Sequence, residues 1–163
     1  IGDIIPGPAL AHKAMKEAVI CAEAIAFKES KYDHQPTPLD YGNMPACTYT
    51  GPEIASVGLT EKQAREAGMD IKVGKFPLMA SGKASAVGAT DGFVKVIFDA
   101  KYGEWIGTHM IGYNVTELIA QTTTARKLET TWHEQLDTIF PHPTMSEAIK
   151  DAIEDALGEA IHL

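Results

Sequence analysis

A histidine and a glutamate near the end of the chain have the residue types and spacing of an acid/base pair. His142 stands directly before Pro143, and Glu147 follows His142 by five positions in FPHPTMSEAIKDAIEDA, residues 140–156. Proline restricts the residue before it to extended conformations, so the imidazole of His142 would be held in place. A carboxylate on one ring nitrogen fixes the tautomer and leaves the other nitrogen as a general base.

A helix start explains the same residues without any catalysis. Thr144 and Glu147 have the spacing of a capping box, in which each side chain satisfies a backbone donor of the other residue. On this interpretation His142 is an exposed loop residue. The two interpretations are compatible, because one carboxylate could cap the helix with one oxygen and orient the histidine with the other.

The remaining histidines are weaker candidates for chemistry. They lie in a predicted strand, in helices, in a connector and near the C-terminal end: His109, His12, His133, His34 and His162. No pair of them has the HExxH spacing of a metal site, so the sequence predicts no metal.

The two cysteines, Cys21 and Cys47, form no CxxC motif and indicate neither a zinc site nor a secreted disulfide scaffold. We expect both to be reduced and at least partly buried, in a reducing compartment.

Composition excludes several classes of protein. The chain has 163 residues, 45% hydrophobic and 22% charged, which are ordinary values for a soluble globular protein. No apolar run approaches the roughly 20 residues that cross a bilayer, so no membrane association is expected. The net charge of −8 disfavours nucleic acid and would suit a basic protein partner. The apolar first residue followed by Gly-Asp resembles the end of a strand from a longer chain.

The elements that must position these residues have an α+β pattern. A helix is predicted over residues 8–29, followed by a proline-rich connector and a boundary near residue 40. Beyond it the strand-like runs are ACTYT, EIASVGL, DIKVGKFPL, GFVKVIFDA and EWIGTHMIG, the last two forming a hairpin. Helices are predicted at TEKQAREAG, NVTELIAQTTTARKLE, TWHEQLDTIF and TMSEAIKDAIEDALGEAI, with Thr60 and Asn114 as caps. This order predicts an antiparallel sheet with helices packed on one face.

Four long motifs resemble the C-terminal part of dihydrolipoamide dehydrogenases, a family of flavoprotein disulfide oxidoreductases. They are GPALAHKA, TGPEIASVGLTEKQAREAG, VGKFPLMASGKASAVGATDGFVKVIFDAKYGEWIGTHMIG and HPTMSEAIKDA, and the resemblance covers essentially the whole chain. It implies that residues 1–40 are the tail of an FAD-binding domain plus a linker. Residues 41–163 would then be the interface, or dimerisation, domain.

The resemblance also implies a flavin site at the start of the chain. Gly2 and Asp3 are similar to the family's second FAD motif, whose aspartate binds the ribityl chain of FAD. The backbone of the ALAHKA segment is expected to line the flavin with residues Ala9, Leu10, Ala11 and His12.

His142 is similar to the family's catalytic base and Glu147 to its partner. The base takes a proton from a dihydrolipoamide thiol, the thiolate attacks an enzyme disulfide beside the flavin, and electrons pass through FAD to NAD⁺. In this family the histidine serves the active site of the opposite subunit, so a homodimer is implied. A further implied partner is the subunit-binding domain of the acyltransferase in a 2-oxoacid dehydrogenase complex.

Other features leave alternatives open. The chain has no GxGxxG and no CxxxxC redox pair, so the isolated chain is expected to be inactive. Phe140 stands where the family often has a histidine, and Gly51 where THPE is usual, and these departures leave the exact substrate open. Glutathione and mercuric reductases share the architecture, so the equivalent domain of such an enzyme is an alternative. A non-catalytic dimerisation or docking module is another. The expected location is the cytoplasm, or alternatively the mitochondrial matrix.

Overall fold

The structure, a computed structural model, describes residues 1–163 as two units that divide after Met44. The first unit contains one long helix, α1 (Ala11–Lys28), between short 3₁₀ turns at Gly2–Ile4 and Tyr41–Asn43. Alanine and straight-chain residues favour this helix. It confirms the helix predicted over residues 8–29, with a start three residues later, after an extended Leu10.

The first unit has no buried apolar side chain. Its three buried residues are Gly2, Lys13 and Glu17. The apolar side chains of α1 are instead exposed: Met15, Val19, Ile25 and Phe27. The expectation that both cysteines are at least partly buried is therefore wrong for Cys21, which is exposed on α1, and right for Cys47, which is half-buried.

The second unit is built on one five-stranded sheet. Its strands are β1 (Ala46–Thr48), β2 (Glu53–Gly58), β3 (Ile71–Pro77), β4 (Phe93–Asp99) and β5 (Trp105–Gly112). The spatial order is β1-β2-β5-β4-β3, and every neighbouring pair is antiparallel. The predicted β4–β5 hairpin is confirmed by its register, which pairs Phe93 with Ile111 and Val96 with Thr108.

Helices cover one face of this sheet. The helices of the unit are α2 (Glu61–Glu66), α3 (Gly82–Val87), α4 (Val115–Lys127), α5 (Trp132–Asp137) and α6 (Glu147–Leu157). Side chains of α4 and α6 share one core with the sheet residues Phe76, Val94 and Val96. This confirms the predicted antiparallel sheet with helices on one face. The short α2 is an addition on the opposite face, where Ala64 packs against Ile97.

Helix ends follow the predicted capping rules with one exception. Thr60 and Gln63 form a reciprocal capping box at α2, and Gly68 follows that helix with φ +74°. Asn114 lies at the start of α4 in a left-handed conformation and makes no side-chain cap, so its predicted capping role is wrong. A carboxylate from the sheet, that of Glu53, accepts the N–H of Thr116 instead. No helix of the structure is both long and apolar enough to cross a membrane.

Candidate active site

The loop between α5 and α6 carries His142. Thr144 donates its hydroxyl to the carbonyl of Pro141 at 2.7 Å, which closes the loop around the histidine. The His142–Pro143 peptide bond is cis. The imidazole of His142 is 78% exposed, so it is presented to the surroundings of the unit.

His142 and Glu147 are in direct contact. Nδ1 of His142 lies 2.8 Å from Oε1 of Glu147, and the second carboxylate oxygen accepts the backbone N–H of Thr144, also at 2.8 Å. One carboxylate thus binds the histidine and a backbone donor at once. The predicted capping box is only half formed, because the Thr144 hydroxyl is bound to Pro141 and not to a helix N–H.

The contacts of Glu147 keep its carboxylate ionised. Partial burial opposes ionisation, but the hydrogen bonds from Thr144 and His142, with the charges of His142 and His162, outweigh it and lower the pKa of Glu147. Glu147 is also the first residue of α6, where the helix dipole favours negative charge. An ionised carboxylate on Nδ1 requires the proton on that nitrogen and leaves Nε2 as an acceptor.

The core holds the helix that carries Glu147. Met145 and Ile149 flank the glutamate and are buried against the sheet. Further along, α6 approaches β3 so closely that a Cβ on Gly74 would lie 1.9 Å from the carbonyl oxygen of Ala152. Because α6 packs against the sheet near both of its ends, the fold determines the position of Glu147.

A cavity of about 310 Å³ lies beside Glu147, between the end of α5 with the segment that follows it and the first half of α6. Its lining includes Phe140, Glu147, Asp151 and His162. Burial raises the pKa of Asp151, and the neighbouring Glu154 and Glu147 carboxylates add to this rise, while His162 and Lys150 oppose it. Sequence analysis missed Asp151, although its spacing of four residues from Glu147 on a helix places both on one face.

Three of the other histidines lie in other elements of the fold. Nε2 of His109 is 3.0 Å from the carbonyl oxygen of Leu59, so this ring nitrogen already has a hydrogen-bond partner. Nε2 of His133 accepts from the indole N–H of Trp132 at 3.1 Å. His12 is the second residue of α1. Within the structure, no group of three or more His, Cys, Asp or Glu residues could hold a metal ion.

The residues expected to contact flavin all lie in the first unit. The carboxylate of Asp3 is exposed and follows Gly2, which is buried with φ +73°. Ala9 and Leu10 lead into α1, and Ala11 and His12 are its first two residues. The helix has no side-chain cap at its N-terminus. An exposed carboxylate can accept hydrogen bonds from sugar hydroxyls, and a helix N-terminus favours negative charge that develops on a bound group.

Comparison with known proteins agrees with the fold and the motifs. Residues 44–153 match the dimerisation domain of the pyridine nucleotide-disulphide oxidoreductases. The dihydrolipoyl dehydrogenase of Zymomonas mobilis is 54% identical over 162 residues, 99% of this chain and 34% of that protein. The Bacillus subtilis dihydrolipoyl dehydrogenase is 47% identical, over 99% of this chain and 33% of that protein. The chain therefore spans about a third of the length of these relatives.

Solved structures show the same architecture. LpdA from Mycobacterium tuberculosis superimposes with a TM-score of 0.79 at 23% identity, over 94% of this chain and 32% of that chain, and shares the fold. The HOCl-induced flavoprotein disulfide reductase RclA from Escherichia coli gives 0.81 at 25% identity, over 94% and 34%. These matches confirm the resemblance drawn from the motifs. The chain belongs to the pyridine nucleotide-disulphide oxidoreductase family, and residues 44–153 match that family's dimerisation domain.

Proposed function

We propose that this chain is the part of a dihydrolipoamide dehydrogenase that dimerises and supplies the acid/base pair His142–Glu147 to the active site of the second subunit. The observation that carries the proposal is the 2.8 Å contact between Nδ1 of His142 and Glu147, in a loop that leaves the imidazole 78% exposed. The high identity to dihydrolipoyl dehydrogenases supports the substrate, which is the dithiol of dihydrolipoamide.

The geometry suits proton abstraction from a thiol. Glu147 accepts the Nδ1 proton of His142, so Nε2 is the atom that takes a proton from the substrate. The positive imidazolium that results is stabilised by the same carboxylate, whose second oxygen is held by Thr144. The substrate thiolate then attacks a redox disulfide, which this chain does not contain. Proton transfer by a positioned side chain contributes about 10²–10⁴-fold to a rate.

Asp3 and residues 9–12 fit the cofactor of such an enzyme. Bound FAD would accept the electron pair of the dithiol and pass it to NAD⁺. Asp3 presents an exposed carboxylate that can accept hydrogen bonds from ribityl hydroxyls, and the uncapped start of α1 can lie against the ring.

A docking role is compatible with catalysis. The chain carries a net charge of −8, which favours a basic partner such as the subunit-binding domain of an acyltransferase.

The proposal is tested by two glutamate substitutions in the intact flavoenzyme. Glu147→Gln removes the charge that orients and stabilises His142, and turnover with dihydrolipoamide should fall by about 10²-fold or more. Glu134→Gln is the matched control. The Glu134 carboxylate accepts a backbone N–H, that of Thr131, at the start of α5, as Glu147 does at α6, but Glu134 is not bonded to His142. This variant should lose little turnover. Equal losses in both variants, or normal turnover in His142→Gln, would exclude the catalytic assignment.

A further inference from the structure

Both polar backbone atoms of Gly2 are bound by side chains of α1. Its N–H donates to Oε2 of Glu17 at 2.7 Å, and its carbonyl accepts from the ammonium of Lys13 at 2.9 Å. These two side chains are one helical turn apart, and their charged atoms lie 3.1 Å from each other. The peptide units on either side of Gly2 are therefore held from one helix face.

A third residue completes the network from the far end of the unit. The hydroxyl of Tyr41 donates to Oε1 of Glu17 at 2.8 Å. Burial opposes ionisation of Glu17, but the hydrogen bonds from Gly2, Tyr41 and Lys13 together outweigh it and lower the pKa of Glu17 to about 2. The carboxylate is ionised at neutral pH, and the same bond raises the pKa of Tyr41.

Apolar burial does not account for this arrangement. Lys13 is completely buried and Glu17 is 6% exposed, in a unit with no buried apolar side chain. A buried ion pair makes a small net contribution to stability, since the desolvation of two charges offsets their attraction. What the network does is fix geometry. Gly2 adopts φ +73°, a conformation that few residues other than glycine adopt, and the exposed carboxylate of Asp3 follows directly.

We propose that Lys13, Glu17 and Tyr41 are positioning residues that hold Gly2 so that the carboxylate of Asp3 meets the ribityl hydroxyls of FAD. This inference rests on the proposed function, since Asp3 has that role only in a flavoprotein. Hydrogen bonds from hydroxyls to a carboxylate depend strongly on direction, so a rotation of the Gly2–Asp3 peptide weakens them.

The test is a double-mutant cycle on FAD affinity in the intact apoenzyme, with Tyr41→Phe and Asp3→Asn as the two changes. Tyr41→Phe removes one donor and keeps the ring, and it should raise the Kd of FAD about five-fold. Asp3→Asn should raise the Kd about ten-fold. If Tyr41 acts through Asp3, then in the Asp3→Asn background Tyr41→Phe should change the Kd less than about two-fold.

The controls separate positioning from folding. Tyr32→Phe changes a half-exposed tyrosine of the connector and should leave the Kd unchanged. Urea unfolding of each apoenzyme measures its stability. If Tyr41 had a purely structural role, Tyr41→Phe would lower the stability and would raise the Kd of FAD by the same factor with Asp3 present and in the Asp3→Asn background. That result, or an unchanged Kd in Tyr41→Phe alone, would overturn the positioning role and leave the proposed function intact. An unchanged Kd in Asp3→Asn would overturn the inference as well, because Asp3 would then have no role at FAD, whereas the proposed function fails only in the turnover tests of Glu147→Gln and His142→Gln.

Discussion

Glu147 binds His142 and Thr144 through different oxygens of one carboxylate, each at 2.8 Å. The catalytic and the capping interpretations of the HPTMSE motif therefore describe the same side chain. This arrangement links the orientation of the histidine to the start of α6, because neither contact can shift without moving the carboxylate. The hydroxyl of Thr144 is not part of the link, since it binds the carbonyl of Pro141.

Removing the Thr144 hydroxyl should therefore lower the stability of the fold and have only a small effect on turnover. In Thr144→Ala the bond to Pro141 is lost, which should lower the free energy of unfolding by about 1 kcal/mol. The backbone N–H that binds Glu147 remains, so turnover of the intact enzyme should fall far less than in Glu147→Gln. Urea unfolding and steady-state turnover measure the two effects. Thr144→Ser keeps the hydroxyl and serves as the control. A loss of turnover in Thr144→Ala as large as that of Glu147→Gln would contradict this account.

The sequence was sufficient for contacts that are local and insufficient for those that cross the chain. Residues only five positions apart form the His142–Glu147 pair, and Pro143 restricts the conformation of His142. The five strands were also predicted from local sequence. Successive side chains of a strand point to opposite faces, so a half-buried strand alternates apolar and polar residues. The cap of α4 was assigned to Asn114, the nearest candidate, whereas the carboxylate that binds its first turn belongs to Glu53, 63 residues away in sequence. Local patterns carry no information about such a pairing.

That long-range contact can be tested by comparing two acidic residues near the start of α4. Oε2 of Glu53 accepts both the N–H and the hydroxyl of Thr116, at 3.0 and 2.8 Å. Glu53→Ala should lower the free energy of unfolding by about 1–3 kcal/mol, because a partly buried backbone donor loses its acceptor. Glu117→Ala removes an exposed carboxylate in the first turn of the same helix and should cost at most about 0.5–1 kcal/mol through the helix dipole. Urea unfolding followed by circular dichroism measures the loss in each variant. Equal losses of unfolding free energy in Glu53→Ala and Glu117→Ala would mean that the hydrogen bonds to Thr116 contribute nothing.

The close approach of α6 to β3 requires a glycine at position 74. A Cβ there would lie 1.9 Å from the carbonyl oxygen of Ala152 and 2.5 Å from the amide nitrogen of Ala156, so the helix must move away. Gly74→Ala should lower the free energy of unfolding by about 3 kcal/mol or more. Gly82→Ala is the matched control, because it begins α3 and nothing lies within 4 Å of its added Cβ. That change should be neutral or stabilise by up to about 1 kcal/mol. A mild effect of Gly74→Ala in thermal unfolding would show that the α6–β3 contact is looser than described.

The contribution of Asp151 to the free energy of unfolding should change with pH in the opposite direction from that of an ordinary ion-paired carboxylate. Burial raises its pKa above the usual 3.8, with added repulsion from Glu154 and Glu147, against the opposing charges of His162 and Lys150. The folded chain therefore binds this proton more readily than the unfolded chain, and ionised Asp151 destabilises the fold at neutral pH. Well below pH 3.8 the group is protonated in both states and the cost is gone.

Asp151→Asn should thus stabilise the chain at pH 7, by on the order of 0.5–1 kcal/mol because partial exposure screens the charges. The gain should shrink as the pH falls and vanish below about pH 3.5. Urea unfolding at both pH values measures it. Asp33→Asn makes the same chemical change at an exposed residue of the connector, outside any helix, and should show no such gain. A stabilisation of Asp151→Asn that persists unchanged at pH 3.5 would assign the effect to packing of the amide. A loss of stability at pH 7 would mean that the charges of His162 and Lys150 stabilise the ionised carboxylate more than burial destabilises it.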